Sequence, residues 1–243
     1  MPAPFLTAVW RYLVMLNYEI DPAVLRPLVP KGTELDAWDG GHYVSVVGFR
    51  FLHARLRGLP IPFHRNFDEV NLRFYVRHRA ADGWRRGVAF VKEVVPRWAI
   101  AAVARWVYNE NYVACPMRSQ IQPPADGSAA GRVEYRWAHR GRWFALAAEF
   151  AGSSAPLAAG SAEEFIAEHY WGYVGQRDGS TLQYRVEHPP WRVWQARSCQ
   201  FECDVAEFYG EQFRAALSAA PRSAFVADGS EVAVLPGERI PAG

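Results

Sequence analysis

The strand-like runs of this chain follow one another in groups, separated by turn residues and not by helices. Phe67–Arg79 is the clearest of them: Val70, Leu72, Phe74 and Val76 alternate with Glu69, Asn71, Arg73, Tyr75 and Arg77. A period of two over that length specifies a β-strand with two unlike faces. Similar runs cover Phe5–Glu19, Leu35–Trp38, Tyr43–Leu52, Gly87–Val95, Val133–Ala138, Trp143–Phe150, Tyr184–Glu187 and Val193–Cys203. Asp39-Gly40, Asp82-Gly83 and His139-Arg-Gly141 supply hairpin turns between them. Leu56–Arg65, with Gly58, Pro60 and Pro62, reads as a loop, as does Pro123–Gly131.

Helices are few. Asp21-Pro22 opens a short one, with Asp as cap and Pro at the first helical position. Trp98, Ala101, Ala102, Arg105 and Trp106 recur at helical spacing and predict about three turns over Pro96–Tyr108. Ser161-Ala-Glu-Glu164 matches a capping box and predicts a helix to about Tyr170. Val205–Ala216 also reads as helical, and the tail after about residue 237 as loose. Grouped strands with a few short helices imply an α+β, β-rich fold with a largely antiparallel sheet or barrel. No linker divides the 243 residues, so a single domain over 1–243 is expected.

Composition narrows the function. Half the residues are hydrophobic, as expected of a packed domain. Lys+Arg number 27 against 25 Asp+Glu, a net charge of +2, which provides no broad basic field for nucleic acid. The strip Arg73, Arg77 and Arg79 therefore reads as a solvated sheet face. No apolar run has membrane-spanning length, and Met1-Pro-Ala-Pro-Phe5 lacks the pattern of a secretory leader. With three cysteines (Cys115, Cys199, Cys203) and no histidine pair beside them, neither a disulfide framework nor a metal site is implied, and a cytoplasmic location is expected. Phosphate loops, dinucleotide fingerprints and nucleophile elbows are missing, so no cofactor is implied. Only two of the 27 basic residues are lysines, Lys31 and Lys92. Chemistry through a lysine imine thus has two candidates. Lys92 is expected on the strand face shared by Val88 and Phe90.

Several segments in order, Trp10-Arg11, Asp21-Pro-Ala-Val-Leu-Arg26, Leu28-Val-Pro30, Glu69-Val-Asn-Leu-Arg73, Gly87-Val88 and His188-Pro-Pro-Trp191, resemble a family of bacterial proteins, the YqjF-like family. That family is similar to the acetoacetate-decarboxylase-like superfamily. The resemblance implies a cone-shaped antiparallel assembly around an enclosed pocket. It also implies, for members of known chemistry, decarboxylation through a lysine in a Pro-Lys-Lys segment. Here the matching segment is Cys115-Pro-Met-Arg118, preceded by Asn109-Glu-Asn111 where the family has Gly-Arg-Glu. Met117 has no amine, and the Arg118 guanidinium stays protonated, so neither forms an imine. Arg11 falls where the decarboxylases carry an arginine on the first strand, and Glu69 near one of their pocket glutamates.

The expected function is binding of a small organic acid, with Arg11 and Arg118 on its carboxylate and Tyr112, Met117 and His188 as further contacts. One alternative is a lysine-independent lyase, hydratase or isomerase with Glu69 as general base and Arg118 stabilising an anion. Another is a structural protein whose pocket is plugged, with Met117 as the plug. The expected partner is a small molecule, not nucleic acid or membrane, and a homo-oligomer is compatible with the sequence.

Overall fold

The structure, a computed structural model, describes residues 3–60, 65–96, 111–124 and 130–240. The helix expected over Pro96–Tyr108, and most of Asn109-Glu-Asn111, lie outside the described residues. In chain order the strands are β1 (Leu6–Glu19), β2 (Glu34–Leu35), β3 (Tyr43–Leu56), β4 (Leu59–Pro60), β5 (Phe67–Ala80), β6 (Gly83–Val95), β7 (Tyr112–Ala114), β8 (Met117–Gln122), β9 (Ala130–His139), β10 (Arg142–Ala151), β11 (Ala155–Pro156), β12 (Trp171–Gly175), β13 (Thr181–Glu187), β14 (Arg192–Glu202), β15 (Ser223–Ala227), β16 (Glu231–Val234) and β17 (Glu238–Arg239). Short helices cover Pro22–Leu25, Ala162–Ala167, Val205–Phe208 and Arg214–Leu217. No helix among the described residues is long and apolar enough to cross a membrane.

The pairings form a closed circuit. β1 runs antiparallel to β3, β3 to β5, and β5 to β6. β6 then lies parallel to β12 through Gly87 and Val88, β12 pairs with β13, β13 with β16, and β16 returns to β1. A second curved layer branches from the same edge of β1: β15 pairs with β14, whose far half pairs with β10, followed by β9 and β8.

This arrangement gives β1, β3 and β5 two buried faces over much of their length. One faces the space between the layers, where Val14, Leu16, Leu72 and Phe74 meet Tyr135, Trp137 and Phe150. The other faces the inside of the circuit, lined by Leu13, Met15, Phe49, Tyr75, Phe165 and Trp191. Burying side chains of this size stabilises by roughly 1.5–3 kcal/mol each relative to exposure. The solvated face expected for Arg73 is therefore an interior face at that position; Arg79, near the strand end, is exposed.

Several expected boundaries shift for local reasons. The expected loop 56–65 begins with a tight turn at Arg57-Gly58, which folds β4 back on the end of β3. The helix capped by Ser161 ends at Ala167, although its cap forms as expected, with Ser161 Oγ accepting from Glu164 N at 3.1 Å. The chain then turns into β12, a strand the sequence reading did not find. The segment 205–217 is interrupted at Gly210, whose φ of 113° no continuing helix uses. Of the tail after Gly237, residues 238–240 are held: β17 pairs with β13, Ile240 N donates to Thr181 O at 2.9 Å, and Ile240 is buried.

Candidate functional site

β5 carries polar side chains into the circuit in strict alternation: Glu69, Asn71, Arg73 and Tyr75. Glu69 and Asn71 are buried. Glu69 Oε1 accepts from Asn71 Nδ2 at 3.0 Å, and Glu69 Oε2 accepts from the Tyr112 hydroxyl at 3.3 Å. The structure thus brings together two of the residues expected at a site. Tyr112 arrives from β7, which lies parallel to β6 and opposes it at Glu93.

Arg73 is the cation of this interior. Its Nη2 donates to the Ile166 carbonyl at 3.2 Å and lies 3.9 Å from the Met15 sulfur, and its guanidinium carbon is 5.8 Å from the Tyr75 ring centre. All of these partners are neutral. No salt bridge to Arg73 is formed among the described residues, and its buried Nε has no hydrogen-bond partner among them. Beside it runs a buried polar chain. Asn17 donates to Ser223 Oγ at 3.0 Å, and Ser45 Oγ donates to Asn17 Oδ1 at 2.6 Å. Its single proton used, Ser45 must accept from the Tyr75 hydroxyl, also at 2.6 Å.

A second buried cluster adjoins Tyr75. The His169 ring centre lies 4.8 Å from that of Tyr75, tilted to it, and 4.9 Å from that of Phe165, edge to face. Its Nε2 is 3.3 Å from Asp36 Oδ2, which also accepts from Arg86 Nε at 2.6 Å. Burial alone would raise the Asp36 carboxyl, but the hydrogen bonds from His169 and Arg86 outweigh it and hold the pKa at about 2. Desolvation lowers that of His169, and the charges of Arg86 and Arg73 act in the same sense, against the opposing hydrogen bond to Asp36.

The other expected residues lie elsewhere. Arg11 is exposed and donates to the carbonyls of Asp228 (3.5 Å) and Gly229 (3.4 Å). The reason is a bulge: between Arg11 and Val14, β1 places two residues opposite one on β3, with Tyr12 at φ 55°. Leu13 and Met15 face the circuit after the bulge, Trp10 faces it before, and Arg11 is turned out. A second bulge moves Lys92. β6 carries an extra residue opposite the Leu72–Arg73 step, so Phe90 lies across from Arg73 but Lys92 across from Leu72. Lys92 therefore leaves the face of Val88 and Phe90 expected for it. It points between the layers, donates to the Phe208 carbonyl and sits 4.5 Å from the Phe208 ring. Desolvation there lowers its pKa. Met117 packs into the same interlayer core, and Arg118 is exposed, stacked 4.7 Å from Trp143.

His188 occupies an intermediate place. Its ring stacks on Trp191 at 4.1 Å and 11°, and Nδ1 lies 2.9 Å from the Pro189 carbonyl, the spacing of a donated hydrogen bond. It lines a surface groove of about 590 Å³ with Val9, Arg55, Glu187 and Val232. Burial lowers its pKa against the opposing hydrogen bond to the Pro189 carbonyl, and the Arg73 charge acts in the same sense as burial.

Sequence reasoning missed Arg73, Asp36 and His169. The alternation had already placed Arg73 beside Glu69 and Asn71. What concealed it was the small net charge, which measures the surface and not one strand face. No cluster of three or more potential metal ligands occurs among the described residues.

A closed circuit of strands with a polar strip on its inner wall and a second layer across it is the acetoacetate-decarboxylase-like fold. The enduracididine biosynthesis enzyme MppR, in a structure complexed with pyruvate, superposes with a TM-score of 0.67 at 17% identity, over 98% of this chain and 91% of that one. Acetoacetate decarboxylase of Legionella pneumophila superposes at 0.66 and 13% identity, over 99% and 88%. At these identities the likeness concerns the fold. The chain belongs to the DUF2071 family of uncharacterised conserved proteins, whose model matches residues 7–231. It is 28% identical to the uncharacterised protein YqjF of Bacillus subtilis over 193 residues, 78% of this chain and 75% of that protein.

Proposed function

We propose that this protein binds a small carboxylic acid inside the strand circuit, on Arg73, without forming a lysine imine. The observation that carries the reading is the Arg73 guanidinium: an interior cation whose contacts among the described residues are a carbonyl, a thioether and an aromatic ring. Such a group is left in want of an anion, and a carboxylate matches its planar fork. The position of the lysines supports the second half of the proposal. Lys92 is occupied on the opposite face of the sheet, and Lys31 is exposed. Pyruvate bound to the similarly folded MppR agrees with a ligand of this size.

Pyruvate is also the probe. Isothermal titration is expected to show binding that weakens at least about ten-fold in Arg73→Gln, the cost of removing a charge-assisted pair. Borohydride added with pyruvate is expected to leave Lys31 and Lys92 unmodified by mass spectrometry. No binding at millimolar pyruvate, unchanged binding in the variant, or an adduct on Lys92 would each refute the proposal.

The contact between Glu69 and Tyr112 favours one further reading. A buried carboxylate hydrogen-bonded to a phenol is a proton-transfer pair, so a lysine-independent lyase or isomerase would use Glu69 as its base. Glu69→Gln would abolish such turnover while leaving pyruvate binding in place.

A further inference from the structure

Within this interior Nδ1 of His169 is buried with no hydrogen-bond partner among the described residues. His169 is the residue at which the helix Ala162–Ala167 gives way to β12, and its ring is packed against Tyr75 and Phe165. Asp36 stands at Nε2. An imidazole beside an ionised carboxylate carries its proton on the nitrogen that faces it, so Nε2 donates to Asp36 and Nδ1 presents a lone pair. Asp36 is itself fixed by Arg86 and by Ala37 N, which donates to Oδ1 at 3.0 Å. The orientation of the ring is thus set from outside the site. Nδ1 is buried and accepts no hydrogen bond among the described residues.

The same small region holds the unpartnered Nε of Arg73. Both groups lie against the Tyr75 ring, and the Arg73 charge acts on His169 directly. The two vacancies differ in kind. Arg73 has spare donors and seeks an acceptor with negative charge. His169 Nδ1 has a spare acceptor and seeks a donor. Tyr75 cannot supply that donor, because its hydroxyl proton is committed to Ser45. A bare carboxylate cannot supply it either, since it has no proton to give.

We propose that His169 is a ligand-contacting residue and that the ligand is a short hydroxycarboxylic acid. The carboxylate rests on Arg73, and a hydroxyl a few bonds away donates to His169 Nδ1. Asp36 is then a positioning residue, which holds the tautomer that makes Nδ1 an acceptor. This deepens the carboxylate reading above and rests on it.

The test compares butanoate, 2-hydroxybutanoate and 3-hydroxybutanoate by isothermal titration on the full chain. One of the two hydroxy isomers is expected to bind about ten-fold more tightly than butanoate, because a buried acceptor left unpaired penalises the analogue that lacks the donor. His169→Phe keeps an aromatic ring packed against Tyr75 and Phe165 and removes the acceptor, so the preference is expected to vanish while butanoate binding survives. If that variant fails to fold, the wild-type imidazole ¹⁵N spectrum serves instead: the His169 Nδ1 resonance is expected to move upfield with the preferred isomer and not with butanoate. Equal binding of all three acids, or a preference that persists in His169→Phe, overturns the assignment of His169 and leaves the carboxylate site standing. Failure of every acid to bind overturns both.

Discussion

Asp36 allows a worked prediction, because it is 2% exposed and its partners are known. Asp36→Asn keeps the shape and removes the charge. The carboxyl is held at about 2 against an ordinary value of 3.8. At about 1.36 kcal/mol per pH unit, that difference corresponds to roughly 2.4 kcal/mol of stability at neutral pH. Arg86 recovers hydration after the substitution, because its side chain is 43% exposed, so it adds little further penalty. For a chain of this length about 2 kcal/mol lowers Tm by roughly 4–8 °C. The sign follows from the depressed pKa. The contribution is fully present above 3.8 and is lost as pH falls through about 2. Linkage puts the remaining contribution at pH 3 at roughly 1.3 kcal/mol, about half. Thermal unfolding of both proteins by circular dichroism between pH 7 and pH 3 reads the effect. A difference at pH 7 below about 0.5 kcal/mol, or one that stays constant down to pH 3, would refute the reasoning, since an uncharged hydrogen bond would lack the pH dependence.

Two further outcomes are expected. Gly87→Ala would drive a Cβ to 2.3 Å from the Trp171 carbonyl oxygen, at the parallel junction that closes the circuit. Because the obstacle is backbone, the loss should reach about 2 kcal/mol or more by urea unfolding, and a neutral result would mean that the junction yields. Lys92 has a lowered pKa, so the folded state gives up its proton before the unfolded one does. Wild type should gain stability over Lys92→Met as pH rises toward the ordinary lysine value of 10.5, and parallel melting curves across that range would contradict the burial of its charge.

The fold was legible where one rule acted alone. Alternation in Phe67–Arg79 located β5 and both of its faces, and Ser161 marked its helix start correctly. Difficulty began where a strand changes face within itself. No residue type announces the bulge at Tyr12 or the one opposite Leu72–Arg73, yet each inverts the alternation beyond it. Those two slips moved Arg11 and Lys92, two of the cations considered for chemistry, out of the interior. Arg73 precedes no such break, and its face follows directly from the pattern. Asp36 and His169 were harder to find: they are separated by more than a hundred positions, each is unremarkable in its own segment, and only the closed circuit brings them together.

Closure also has a temporal consequence. β1 leaves the ribosome before all the strands it pairs with, and β3 is the first of them to cover one of its edges. Its other edge is matched by β15 and β16, at residues 223–234, near the end of the described chain. While the strands between β3 and β15 are being made, a long apolar strand must therefore keep one row of backbone donors and acceptors unpaired, the arrangement most open to pairing with another nascent copy. Such a chain depends on being shielded until β15 and β16 emerge. Loss of those strands would convert the first strand into a template for aggregation.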